Sequence, residues 1–136
     1  MLDESPFHDG GCTCRFVRYR MASRPLFTHC CHCRWCQRES GAAFALNAMV
    51  EADRVRLRQG WVEVIDTPTQ SGKGQKIARC PKCRVALWSN YAGAGEAIRF
   101  VRVGTPAVPE YYQRSAFWTQ QSLERFSAMR AGTQET

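Results

Sequence analysis

Eight cysteines stand in three groups along this chain of 136 residues: Cys12 and Cys14; Cys30, Cys31, Cys33 and Cys36; Cys80 and Cys83. The middle group lies in HCCHCRWCQRESG, His29 to Gly41, where C-x-C-x-x-C brings Cys31, Cys33 and Cys36 within six residues. Thiols that close suit one soft metal ion, whose charge offsets the repulsion among thiolates. A turn tight enough to gather three sulfurs rarely has the geometry of a relaxed disulfide. Zinc prefers four ligands, so three cysteines leave one position to fill. A closed structural site fills it with protein, and a reactive site keeps it for water or substrate.

The outer pairs complete one another. Cys12 and Cys14 need two more ligands for a tetrahedron, and Cys80-Pro81-Lys82-Cys83 supplies them. The expectation is a structural zinc site of Cys12, Cys14, Cys80 and Cys83, clipping the first strand to one near residue 80 and contributing on the order of several kcal/mol when metal binds. Cys31, Cys33 and Cys36 are then the open triad, expected to hold a second, reactive zinc ion. The alternative makes Cys30 the fourth ligand and closes both sites. Against it, neighbouring residues of an extended chain point to opposite sides, which sets Cys30 apart from Cys31 as a small buried hydrophobe. A [2Fe–2S] cluster also takes four thiolates, but the local spacing does not favour it.

Many short strands must position these groups. Gly10-Gly11 opens CTCRFVRYRM, which reads as a strand after a mobile N-terminal tail, and Arg24-Pro25 breaks it. Leu26 to Cys30 is extended, and Trp35 to Ser40 is a single helical turn ended by Gly41. Ala43 to Val50 reads as a half-buried strand, with Phe44, Leu46, Ala48 and Val50 inward and Asn47 on the other face. Arg54 to Arg58 alternates with three arginines outward, and Trp61 to Asp66 is a further strand. Thr67 to Lys76 is a polar hairpin loop without the Walker spacing. Val85 to Tyr91 and Ile98 to Val103 are strands, and Gln120 to Met129 is a short C-terminal helix with Leu123 and Phe126 inward. The prediction is a single all-β domain over residues 1–136, with about 10–118 as its core.

Composition supports that scale. Hydrophobic content of 44% is enough for one core. No apolar run approaches the ~20 residues a membrane helix needs. The acidic N-terminus lacks the layout of a signal peptide, so cytoplasmic residence is expected, where cysteines serve as metal or redox groups more than as disulfides. The formal charge of +7 invites a nucleic-acid reading. Seven thiolates on two zinc ions would lower it to about +4. The basic residues are also scattered, which argues against nucleic acid.

The three cysteine groups carry a family resemblance. GCTC, CCHCRWCQRESGAAF, CPKCRVALWSNYAGAG and IRFVRVGT, from about Gly10 to Thr105, are similar to the glutathione-dependent formaldehyde-activating enzyme family, which includes the centromere protein V domain. The resemblance implies a β-tent fold of short antiparallel sheets clipped by zinc. It matches Cys12, Cys14, Cys80 and Cys83 to structural zinc ligands, and Cys31, Cys33 and Cys36 to catalytic ones. It implies a zinc-dependent carbon–sulfur lyase with glutathione as co-substrate, forming or cleaving a thiol–aldehyde adduct such as S-hydroxymethylglutathione. The chemistry agrees with an open site, where a thiol becomes a thiolate nucleophile toward an aldehyde carbon. Arg15, Arg34 or Arg38 are candidates for pairing with glutathione carboxylates, each otherwise a solvated surface residue. His32 is a candidate for orienting a proton, or a hydrogen-bond partner behind the ligands.

The chain departs from the family pattern after Thr105. Gly104-Thr105 runs into Pro106-Ala107-Val108-Pro109, Tyr111 or Tyr112 stands where a histidine is expected, and Trp118 follows Ser115 by three residues instead of four. Arg84 occupies a position where the family often has glycine. The zinc sites are thus expected intact and the substrate wall altered. Two other readings compete: a non-enzymatic zinc module binding protein or nucleic acid, and a redox or metal-handling protein with Cys30 as its reactive thiol.

Overall fold

The computed structural model describes residues 7–106. In chain order the elements are β1 (His8–Gly11), β2 (Arg18–Met21), β3 (Phe27–Cys31), α1 (Arg34–Ser40), β4 (Ala45–Glu51), β5 (Val55–Gln59), β6 (Glu63–Thr67), β7 (Gln75–Arg79), β8 (Ala86–Tyr91) and β9 (Ile98–Arg102). A short 3-10 turn, Ala52–Arg54, joins β4 to β5. The strands form two antiparallel sheets, a three-stranded one ordered β1-β2-β5 and a six-stranded one ordered β3-β4-β9-β8-β7-β6. The all-β expectation holds, with α1 the one α-helix among the described residues. The predicted helix at Gln120–Met129 lies outside them. None of the described helices is long and apolar enough to cross a membrane.

Directly paired residues share a face of a sheet, so the register sorts the large sheet into two sides. Ala48, Val101, Trp88 and Ala78 pair in succession across β4, β9, β8 and β7. They belong to the main core with Tyr19, Met21 and Val55 of the small sheet. Tyr19 meets Trp88 edge to face, ring centroids 5.7 Å apart. Burying each large side chain here contributes roughly 1.5–3 kcal/mol, so this side fixes how the sheets lean together. The other side carries Cys31, Asn47, Arg102, Phe100, Ser89, Tyr91 and Gln75. It is the polar side, and the site is built on it.

Three local readings change. The first strand is two: β1 precedes the cysteine pair, and the chain turns through Cys12–Cys14 before β2, so residues 8–10 are not a tail. Gly10 and Gly11 lie in a strand because the neighbouring chain comes close; a Cβ on Gly10 would meet the Thr105 carbonyl oxygen at 2.5 Å. Leu57, beside the outward arginines of β5, is 41% exposed. Asn47 does not face solvent. It is fully buried, because β4 is an interior strand and Arg102 donates from Nη1 to Asn47 Oδ1 at 3.0 Å.

Candidate metal centres

The structure gathers seven of the eight cysteines into two clusters. The sulfurs of Cys12, Cys14, Cys80 and Cys83 all lie within 4.8 Å of one another, and so do those of Cys31, Cys33 and Cys36. Cys30 joins neither: it is buried on the opposite side of β3 from Cys31. None of the eight is in a disulfide.

The four-cysteine cluster comes from two loops built alike. In each, the first cysteine starts a tight turn that returns to the chain five residues on. Cys12 N–H donates to Val17 O at 3.2 Å, and Cys80 N–H to Val85 O at 3.0 Å. Each first sulfur also accepts backbone hydrogen bonds, Cys12 Sγ from Val17 N–H at 3.3 Å and Cys80 Sγ from Lys82 N–H at 3.3 Å and Cys83 N–H at 3.4 Å. Both turns pass through a left-handed residue that is not glycine, Arg15 and Arg84, each at φ 69°. The Arg84 guanidinium is held by Glu63 of β6.

The three-cysteine cluster is built on one segment. Cys31 ends β3, Cys33 caps the N-terminus of α1 and Cys36 lies in its first turn. Cys33 Sγ accepts from Cys36 N–H at 3.4 Å, satisfying one of the amides a helix start leaves open. Gly41 ends the helix in the left-handed conformation, its N–H donating to Gln37 O at 2.8 Å. A helix this short is held by its contacts more than by its propensity. Glu39, one turn past Cys36, supplies them: its carboxylate takes Arg79 of β7 and Arg102 of β9, the latter at 3.2 Å. With Arg102 also on Asn47, a chain of polar contacts runs under the cluster from α1 to β4.

Zinc fits both clusters on the geometry of the donors. A tetrahedron with Zn–S near 2.3 Å has sulfurs about 3.8 Å apart. Here Cys12 and Cys14 are 3.6 Å apart, Cys14 and Cys80 3.7 Å, and Cys31 and Cys33 3.6 Å. These spacings suit a shared ion and are far beyond a disulfide bond. The proton affinities agree. Burial raises the Cys83 thiol, but the N–H groups of Cys14 and Val85 and the neighbouring sulfurs outweigh it, bringing the thiol down to about 6. Cys14 goes the other way: the Phe16 N–H lowers it, yet burial and the three adjoining thiols hold it up at about 11. In the other cluster, the hydrogen bond to Cys31, then burial and the charges on Cys31 and Cys33, push Cys36 far upward. Crowded sulfurs that cannot all ionise alone are the condition a divalent ion relieves.

The clusters differ in closure. Among the described residues, no fourth cysteine, histidine, aspartate or glutamate joins Cys31, Cys33 and Cys36. A tyrosine approaches them instead. Tyr91, at the end of β8, lies close enough to Cys36, Cys31 and Arg102 to feel their charges. Burial first, then the charge on Cys36, pushes the phenol above its ordinary range while Arg102 opposes. Sequence reasoning did not find Tyr91, Glu39, Arg79 or Arg102, since no motif spacing connects them to the cysteines. Of the candidates it did name, Arg15 sits on the four-cysteine loop, away from the triad, and Arg34 and Arg38 are exposed on α1. His32 is half-buried between two of the cysteines.

Three comparisons bear on this arrangement. The profile of the family described as Glutathione-dependent formaldehyde-activating enzyme matches residues 7–121. No curated protein matches. A crystal structure of a Rhodobacter sphaeroides protein, solved as a structural genomics target, is similar in fold, with a TM-score of 0.51 at 16% identity over 71% of this chain and 84% of that one.

Proposed function

The chain belongs to the glutathione-dependent formaldehyde-activating enzyme family, and from that premise we propose that it is a zinc-dependent carbon–sulfur lyase. It forms or cleaves the adduct of a small thiol with an aldehyde, S-hydroxymethylglutathione being the first candidate. The two leaning sheets, joined at the four-cysteine cluster, suit the β-tent architecture. Cys12, Cys14, Cys80 and Cys83 would hold a structural zinc ion; Cys31, Cys33 and Cys36 would hold the reactive one. The observation that carries the reading is the count of sulfurs, four in one cluster and three in the other.

A bound zinc ion would supply a position for the substrate sulfur and stabilise its thiolate at neutral pH. The overall step is redox-neutral. The thiol sulfur forms a bond to the aldehyde carbon, the C=O π bond breaks, and the thiol proton ends on the new hydroxyl; cleavage reverses each change. The chain's own residues set the stage for this. The strand end and the capped helix hold Cys31, Cys33 and Cys36 on one side of the sheet. Glu39 anchors α1 to Arg79 and Arg102, so the second and third sulfurs keep their place over β4. Arg102 adds positive charge beside the site, where thiolates and a developing alkoxide are favoured. The Tyr91 hydroxyl is a donor at the same point.

The test is the rate of adduct formation from formaldehyde and glutathione, against the uncatalysed reaction. Acceleration that Cys33→Ser removes without unfolding the protein is the expected result. If the zinc-loaded protein gives no acceleration and glutathione does not slow metal removal by a chelator, the glutathione reading fails.

A further inference from the structure

The small sheet turns one face to the main core and gathers arginines on the other. Along β2, Arg20 stands between Tyr19 and Met21, both buried in that core, so its side chain leaves from the outer face. Arg56 of β5 pairs directly with Arg20, and Arg58 follows one alternation later. Positions 20, 56 and 58 lie far apart in the chain, and the pairing of β2 with β5 brings them together. A cavity of about 300 Å³ opens there, lined by Phe7, Arg20, Ala22, Arg56 and Arg58. That is the lower end of the range for small-molecule sites.

Like charges directly opposite on neighbouring strands destabilise a sheet. Asp9 of β1 compensates one of them, taking Arg20 Nε at 2.7 Å and Nη2 at 3.2 Å. The hydrogen bond from Arg20 holds the Asp9 carboxyl below its usual range and outweighs the cost of burial, and the charges of Arg20 and Arg58 add to it. Arg56 is exposed and uses its Nε on Asp53 O at 3.2 Å. Arg58 is exposed and in no ion pair among the described residues. Three guanidinium groups against one carboxylate leave the cavity two positive charges in excess.

That excess selects the ligand. A phosphomonoester carries about −1.5 to −2 charge at pH 7 and three acceptor oxygens, and guanidinium forks take phosphate oxygens two at a time. A carboxylate or a sulfate ester brings a single charge and matches half of the excess. Phe7 and Ala22 give the cavity an apolar wall, and the Arg20 guanidinium lies 5.3 Å from the Phe7 ring centroid, where the charged and apolar parts meet.

We propose that this cavity binds an organic phosphomonoester, with its phosphate between Arg56 and Arg58 and its carbon skeleton against Phe7. It is a second ligand site, on a different sheet from the three-cysteine cluster, and it does not depend on what that cluster does.

Calorimetry on the zinc-loaded full chain tests this with phenyl phosphate as the probe, against phenyl sulfate, inorganic phosphate and a single-stranded oligonucleotide. Phenyl phosphate should bind about tenfold more tightly than phenyl sulfate, which has the same shape and less charge. It should also bind more tightly than inorganic phosphate, which lacks the apolar part. Arg56→Gln and Arg58→Gln should each weaken it about tenfold, the loss of one charge-assisted contact. Asp9→Asn should tighten it, since the change frees Arg20 and removes the opposing charge. Lys73→Gln removes one positive charge from an exposed loop of the large sheet and should change binding by less than about twofold. Equal losses in Lys73→Gln and Arg56→Gln would reduce the effect to net charge. An oligonucleotide that binds through Arg56 while phenyl phosphate does not would make the face a polyanion surface. Either result overturns the proposal, as does phenyl phosphate failing to bind at millimolar concentration.

Discussion

The two cysteine clusters use the same ligand and differ in what surrounds it. The four-cysteine cluster takes its pairs from loops 66 residues apart, between Cys14 and Cys80, so it ties the small sheet to the large one. Its sulfurs accept hydrogen bonds from its own backbone, and side chains from the strands, Arg18, Gln59 and Arg79, donate to the carbonyls of its loops. The three-cysteine cluster closes no long loop. It rests on an arginine–glutamate–arginine network and faces a tyrosine that also lines a neighbouring groove. On the function proposed above, one arrangement would spend its coordination on folding and the other would keep it for a ligand.

That contrast can be broken at several points. Cys80→Ala should have the largest effect, leaving a domain that melts tens of degrees lower or unfolds without added metal, because removing one of four ligands of a structural site forfeits most of its folding free energy. Thermal unfolding checks it, and an unchanged melting temperature would remove the structural assignment. Cys33→Ser should abolish activity and one equivalent of zinc while lowering stability by less than about 2 kcal/mol, since the triad bridges no distant elements. Metal analysis with a denaturation curve reads both. Glu39→Gln should cost about 2–3 kcal/mol, because it leaves two mostly buried guanidinium groups with half their partner. It should also lower kcat by loosening α1, and a urea midpoint equal to the parent's would contradict this. Smallest is Arg84→Gly. It should stabilise the fold by about 1 kcal/mol, as glycine adopts the left-handed conformation at φ 69° without the side-chain penalty. The exposed pair with Glu63 lost in the exchange is worth little.

The cysteine spacing carried most of what could be read without coordinates. C-x-C and C-P-K-C are local signals, and ligand counting alone separates a group of four from a group of three. The alternation of strands and the glycine after Ser40 were legible for the same reason: backbone periodicity and a left-handed cap are written in neighbouring residues. What surrounds the triad was not. Asn47 reads as outward by period-two alternation, and only its place in an interior strand buries it. Tyr91 and Cys36 are 55 positions apart and meet through the pairing of β8 with β9 and of β9 with β4. Glu39 carries no signal in its own short helix, because its partners are arginines that β7 and β9 deliver to it. Arg84 is the intermediate case, since its break from glycine was visible and its positive φ explains why glycine suits the site.

The claim that organises the account is that one cluster is closed and the other open to a thiol. Absorption of the cobalt-substituted protein during a glutathione titration addresses it most directly. The account predicts that glutathione changes the signal of the Cys31–Cys33–Cys36 site alone, and that Cys33→Ser retains only a four-thiolate spectrum that glutathione leaves untouched. A parent spectrum indifferent to glutathione, or a change that persists in Cys33→Ser, would contradict it.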